Sequence, residues 1–155
     1  PKKGRKHILY IIRELLDFTP QSNQTDISVA LEFLSGVAKR HCTAFMMSDF
    51  YDRKSFLHPL TISNRKHDVV AIQVYDWWER RLPDVGLLKV RDAESGYEQY
   101  IDTGSKKLRD LHQRNWNSRQ ASLHEVFTKS NVDNVSIATD EDYVKQLMML
   151  FRKRN

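Results

Sequence analysis

Four carboxylates stand where strand-like segments run out: Asp49, Asp52, Asp76 and Glu79. Clustered carboxylates can hold metals for phosphodiester hydrolysis, which makes a Mg²⁺-dependent nuclease or phosphoesterase one reading of the chain. No motif supplies a positioned base or nucleophile beside them, and acidic strand ends are common in α/β folds. A second pairing is more specific. Thr25-Asp26-Ile27, followed by Ala30-Leu31, reads as a polar turn opening an amphipathic helix; Ala44 to Phe50 reads as a buried strand whose end carries Asp49. Ligands and metals collect beyond the carboxyl ends of strands in open α/β sheets, so the Thr25 hydroxyl and the Asp49 carboxylate can meet there. Each also has a structural role at hand: Thr25 or Asp26 as a helix N-cap, Asp49 as a solvated strand-end carboxylate.

Other reactive residues form no constellation. The six histidines are scattered without a His-x-x-x-His pair. Cys42 follows His41, but adjacent residues at a strand entrance point to opposite faces, and a small buried hydrophobe is the expected role for the thiol. There is no phosphate-binding Gly-rich motif. Trp77-Trp78, flanked by Arg80 and Arg81, is the other feature to explain. One tryptophan is expected to pack beneath the β-hairpin that follows, and an exposed one beside two arginines would be an interaction anchor, unless both cap the core's edge.

The elements that must position these residues are legible. Ile8, Ile11, Ile12, Leu15 and Leu16 predict a helix from about Gly4 to Asp17, stopping before Pro20. A polar loop, Gln21 to Gln24, leads to a second helix with Ile27, Ala30, Leu31, Leu34, Val37 and Ala38 on one face. Thr43 to Phe50 and Val69 to Tyr75 are nearly continuous apolar runs, as expected of parallel strands covered on both faces. Ser55 to His67 between them is expected to be helical, with Pro59 near its first turn. Gly86 to Asp92, the turn Ala93-Glu94-Ser95-Gly96 and Tyr97 to Thr103 predict a β-hairpin. A polar helix from Ser105 to Ser130, a strand from Val135 to Ala138 and a last helix opened by Thr139-Asp140-Glu141-Asp142 complete the chain. This order implies a single α/β domain over residues 1–155: a three-layer, Rossmann-like parallel sheet flanked by helices, with a hairpin insertion.

Composition narrows the classes. At 155 residues the chain can bury a sizeable core, and 40% apolar with 29% charged residues is ordinary for a globular protein. No apolar run approaches the roughly 20 residues needed to span a bilayer. One cysteine excludes an internal disulfide and a cysteine-rich zinc site, and a reducing, cytoplasmic compartment is the default. The net charge of +5 sits largely at Lys2 to Lys6, at Arg152 to Arg154 and along the polar helix, where Lys106, Lys107, Arg109, Arg114, Arg119 and Lys129 face only Asp110 and Glu125. Such charge is solvated surface, and a nucleic-acid partner is not expected.

In order and spacing, these pieces resemble the C-terminal half of a bacterial family, domain of unknown function family 58, which is itself similar to von Willebrand factor A domains. The marks are Thr25-Asp26-Ile27 with Ala30-Leu31, Ser48-Asp49-Phe50, His67-Asp68-Val69-Val70 and Leu82-Pro83-Asp84-Val85-Gly86. The hairpin with Arg91-Asp92 and Gly96, Thr139 to Tyr143, and Phe151 to Arg154 complete them. The resemblance implies a partial von Willebrand factor A-like sheet with a metal-ion-dependent adhesion site at one end. Carried over by position, Thr25 matches that site's threonine and Asp49 its aspartate. The Asp-x-Ser-x-Ser loop that supplies the other ligands is absent, so the chain is expected to be the C-terminal part of a larger domain whose first strands are missing. No metal cofactor is expected in this fragment, and Mg²⁺ only in the full-length parent. The resemblance further implies a non-enzymatic adaptor working with a MoxR-type AAA+ ATPase. Without the first strand, Thr43 to Phe50 would be an unprotected edge, from which a homodimer is expected.

Overall fold

A computed structural model of the protein describes residues 3–19, 25–92 and 95–154. The loop Gln21 to Gln24, the stop at Pro20, and Ala93-Glu94 of the hairpin turn lie outside the described residues. The elements run α1 (Arg5–Asp17), α2 (Ile27–Val37), β1 (Thr43–Ser48), α3 (Leu57–Lys66), β2 (Asp68–Tyr75) and α4 (Trp77–Arg80). They continue with β3 (Leu87–Arg91), β4 (Glu98–Asp102), α5 (Lys106–Ser130), β5 (Asp133–Ala138) and α6 (Tyr143–Arg154). The chain is thus mixed α/β, with a parallel sheet of order β1-β2-β5 flanked by helices and a separate antiparallel hairpin, β3-β4.

Strand β2 is central, and Val69 to Gln73 are all buried along it, which is why that run lacks alternation. The main core cluster lies on one face of the sheet, where Ile27 and Leu31 of α2, Leu60 of α3, and Leu123 and Phe127 of α5 enclose Val69 and Ala71; Val70, Ile72, Ile137 and Leu150 are buried besides. Phe50 and Phe56, from the loop after β1, close that core, and Phe50 sits edge-on to Phe127 with ring centroids 5.1 Å apart. Side chains alternate across a strand. Met46 packs against this core, and its neighbour Phe45 reaches the other face, meeting Phe151 of α6.

The expected elements are found, with differences that have physical causes. Strand β1 is not covered on both faces. Thr43, Phe45 and Met47 are exposed, because among the described residues β1 is a sheet edge paired with β2, and α6 packs chiefly against β5. It also ends at Ser48: Phe50 takes a left-handed φ of 56°, turning the chain so that its ring enters the core. On the α2 face Ile27 and Leu31 are buried and Leu34 and Ala38 half-buried, whereas Ala30 and Val37 are exposed. In α1 the apolar stripe is not covered by the described residues: none of the helix's residues is buried. Helix α6 begins at Tyr143, not at Thr139, with Thr139 to Glu141 forming a turn before it; Asp142 accepts from the Val144 N–H at 3.0 Å. Its far end is tied back to the sheet, where the Arg154 guanidinium donates to Asp68 at the start of β2 and lies 3.5 Å from Asp133 at the start of β5.

The hairpin stands on a small polar clasp. Gly86, at φ 76°, presents its carbonyl to both the N–H (2.7 Å) and the hydroxyl (2.6 Å) of buried Thr103. Arg109 of α5 then donates to the Thr103 and Gly104 carbonyls and pairs with Asp84 at 3.0 Å.

Candidate functional site

The carboxyl ends of β1 and β2 meet the start of α2 and the first half of α5. Local sequence chemistry builds this edge. After β1 the chain turns on its own side chains: Phe50 N–H donates to the Ser48 hydroxyl (3.0 Å) and Tyr51 N–H to Asp49 Oδ1 (3.1 Å). One residue on, Asp52 reaches across to α2, where Oδ2 accepts from Ile27 N–H at 2.8 Å. Asp26 is the N-cap of α2, accepting from Val29 N–H at 3.2 Å. The Lys54 ammonium lies 2.6 Å from Asp26; this bond, with the N-cap contact, holds the Asp26 carboxyl below the usual carboxylate range and raises Lys54.

Thr25 and Asp49 therefore belong to two segments that the Asp52 bond to Ile27 joins, Thr25 half-buried and Asp49 exposed. Among the described residues, no three His, Cys, Asp or Glu side chains converge as metal ligands. The four strand-end carboxylates are engaged with backbone: Asp49 and Asp52 in the loop after β1, Asp76 and Glu79 in a capping box on α4. In that box Asp76 Oδ1 accepts from Trp78 N–H at 2.8 Å, and Glu79 Oε1 from Asp76 N–H at 3.0 Å.

The capping box starts a helix that sequence reading did not resolve, and it projects both tryptophans outward. Trp77 is 40% exposed and Trp78 54%, so neither is buried. Arg80 stacks 5.1 Å from the Trp77 ring centroid, and Arg81 is exposed. The tryptophan that fills the core edge is Trp116 of α5, 5.1 Å from the Tyr75 ring.

Three further arrangements were missed. Gln73, fully buried in β2, accepts from the Ser136 hydroxyl of β5 (2.8 Å) and donates to the Asp49 carbonyl (3.4 Å), a polar rung from β5 through β2 to the residue just past β1. A lone glutamine inside an apolar strand run was the available signal. Cys42 is only partly buried, and its thiol lies 3.5 Å from Nδ1 of buried His67, not beside His41; strand pairing makes that contact, and no local spacing announces it. Finally, His112, Trp116 and Arg119 share one face of α5 at i, i+4 and i+7. They line a cleft of about 360 Å³ with Tyr51, Glu79 and Asn115. His112 Nε2 lies 2.7 Å from the Glu79 carbonyl, so it is the protonated nitrogen, donating there. Arg119 and Arg109 also show that the α5 cations face more acid than Asp110 and Glu125: Glu79 and Asp84 come from the preceding segment.

The sequence profile of the family described as "Protein of unknown function DUF58" matches residues 1–122. The chain is 29% identical to uncharacterized protein Rv1480 of Mycobacterium tuberculosis, over 99% of this chain and 49% of that protein. The same figures hold for uncharacterized protein Mb1516 of Mycobacterium bovis. With uncharacterized protein MAV169 of Mycobacterium avium the identity is 24%, over 99% of this chain and 92% of the relative. The chain spans about half the length of the first two relatives, and no solved structure matches it. A profile match over most of the length means that the chain belongs to the DUF58 family.

Proposed function

We propose that this chain is a non-enzymatic protein-interaction module of von Willebrand factor A-like fold, acting as an adaptor for a MoxR-type AAA+ ATPase and self-associating through β1. One observation supports the self-association: among the described residues, β1 is an open, apolar sheet edge. Its strand neighbour there is β2, while Phe45 (47% exposed) and Met47 (69%) face outward along it. Such an edge offers a row of backbone donors and acceptors to another strand. A second copy of the same strand satisfies them with two-fold symmetry, burying both apolar faces at once. The exposed Trp77, Trp78, Arg80 and Arg81 supply the aromatic and guanidinium chemistry found at binding hot spots, at a separate corner. Thr25 and Asp49 alone offer too few oxygen ligands for Mg²⁺. Any ion bound there would need further ligands from outside the described residues, and no step of this reading runs through a metal.

Light scattering coupled to size exclusion tests the self-association. The wild-type chain is expected to elute as a dimer at micromolar concentrations, and Met47→Lys as a monomer with unchanged circular dichroism. A wild-type monomer throughout would end the edge-pairing claim. Adaptor and hydrolase are separated by incubating the chain with single-stranded DNA, RNA and phosphate esters in Mg²⁺ or Mn²⁺. No turnover is expected; turnover lost in Asp49→Ala would replace this reading with metal-dependent hydrolysis.

A further inference from the structure

We infer that the cleft between the β1 loop, α4 and α5 is a binding site for a carboxylate, with the Arg119 guanidinium as its receptor. The Arg119 guanidinium lies over two rings, 4.9 Å from the Tyr51 centroid and 4.9 Å from the Trp116 centroid. Stacking on aromatic faces orients a guanidinium while leaving its in-plane donors to be used. Those donors are under-used. Among the described residues its ion-pair partner is Glu79, with Oε2 at 3.5 Å from Nη2, and the buried Nε has no acceptor. A mostly buried arginine with five donors and one loose contact calls for a further acceptor.

Glu79 explains why the fork stays open. Its Oε1 is held at 3.0 Å by Asp76 N–H as part of the α4 capping box, so it cannot swing round to engage Arg119 with both oxygens. The pair thus leaves the guanidinium oriented and partly compensated. That favours a single negative charge over a dianion, and a planar carboxylate matches the fork in two parallel hydrogen bonds. The apolar ring surfaces of Tyr51 and Trp116 suit a hydrophobic body attached to the acid, and Asn115 adds an amide at the rim. At about 360 Å³ the cleft is at the small end of ligand sites. It would admit a small organic acid or one acidic side chain of a peptide. The cleft also lies where open parallel sheets bind their ligands, beyond the strand carboxyl ends. None of its residues lies on β1, so this inference does not depend on edge pairing.

The test is an NMR titration of the whole chain, reading the Arg119 Nε–H and Trp116 indole N–H signals. The probes are 3-phenylpropionate, its uncharged amide, an acetylated glutamate-containing tripeptide and inorganic phosphate. Saturable binding of an acid is expected with a Kd of about 0.1–1 mM, as suits a fragment-sized ligand. The amide and phosphate should bind at least about tenfold more weakly. Whether the free acid or the peptide binds more tightly identifies the natural source, and either result supports the site. Arg119→Gln should weaken binding roughly tenfold or more, and Arg119→Lys, which keeps the charge without the fork, nearly as much. Glu79→Gln keeps a residue suited to the capping box and removes the resident charge, so it should tighten binding several-fold. Absence of saturation, equal binding of phosphate, or unchanged affinity in folded Arg119→Lys or Glu79→Gln would overturn the inference.

Discussion

Arg154 holds the last helix to the starts of two strands, and the way it does so makes part of the stability depend on pH. Its guanidinium donates to Asp68 and lies near Asp133, while the Thr43 hydroxyl donates to Asp68 at 3.1 Å. The Arg154 bond, reinforced by Thr43, keeps the Asp68 carboxyl below its ordinary value of 3.8. A carboxylate whose folded pKa is depressed stabilises the fold fully above its unfolded pKa, and that contribution disappears as pH falls through the folded value. Wild type should therefore exceed Arg154→Met in urea stability at pH 7, with the gap shrinking steadily below about pH 4. A gap that persists undiminished at pH 2 would assign the difference to lost packing of the arginine stem instead. Residue-scale chemistry was partly open to sequence reading. Asp26 as an N-cap follows from its place before Ile27, whereas Asp68 meeting Arg154 needed the three-dimensional return of α6.

Among the elements, α1 and α3 show that expecting a helix does not say how well it is covered. Both segments are expected to be helical from the sequence, yet Leu60 of α3 is fully buried and Leu16 of α1 is 80% exposed. The periodicity of α1 states that a partner surface is wanted; it does not state whether the described chain supplies one. Leu60→Ala should cost about 2–5 kcal/mol in urea denaturation, the range for a buried leucine reduced to a methyl group. Leu16→Ala should change stability by no more than roughly 0.5 kcal/mol, as substitutions outside packed regions usually do. Comparable losses at both positions would mean that α1 docks on the core. Element existence and order were legible because strands and helices here carry their own period and caps. Coverage was not: β1 and β2 are similar apolar runs, and only sheet order makes one an edge and the other the centre. Helix α4 escaped notice because four residues show no period; its signature was the Asp76–Glu79 capping box.

At the scale of the whole molecule, unpaired apolar surface and positive charge act in opposite directions. The formal charge of +5 keeps copies apart at long range, but much of it is local to α5, where Arg109, Arg119 and Lys129 are matched by Asp84, Glu79 and Glu125. Beta1 carries no charged residue along Thr43–Ser48, so nothing on the strand itself guards the edge in the way that lysine or proline commonly does. Short-range pairing should win at ordinary ionic strength, where exposed charges more than about 8–10 Å apart are screened. Self-association that involves only the folded state stabilises it by mass action. The wild-type Tm should thus rise by several degrees between micromolar and hundred-micromolar protein, and rise further with added salt as repulsion between copies is screened. In Met47→Lys the new ammonium sits on the apolar edge itself, so its Tm should be independent of concentration. A wild-type Tm equally indifferent to concentration would place the exposed β1 face outside any self-contact, and would leave Trp77 and Trp78 as the surface for a different partner.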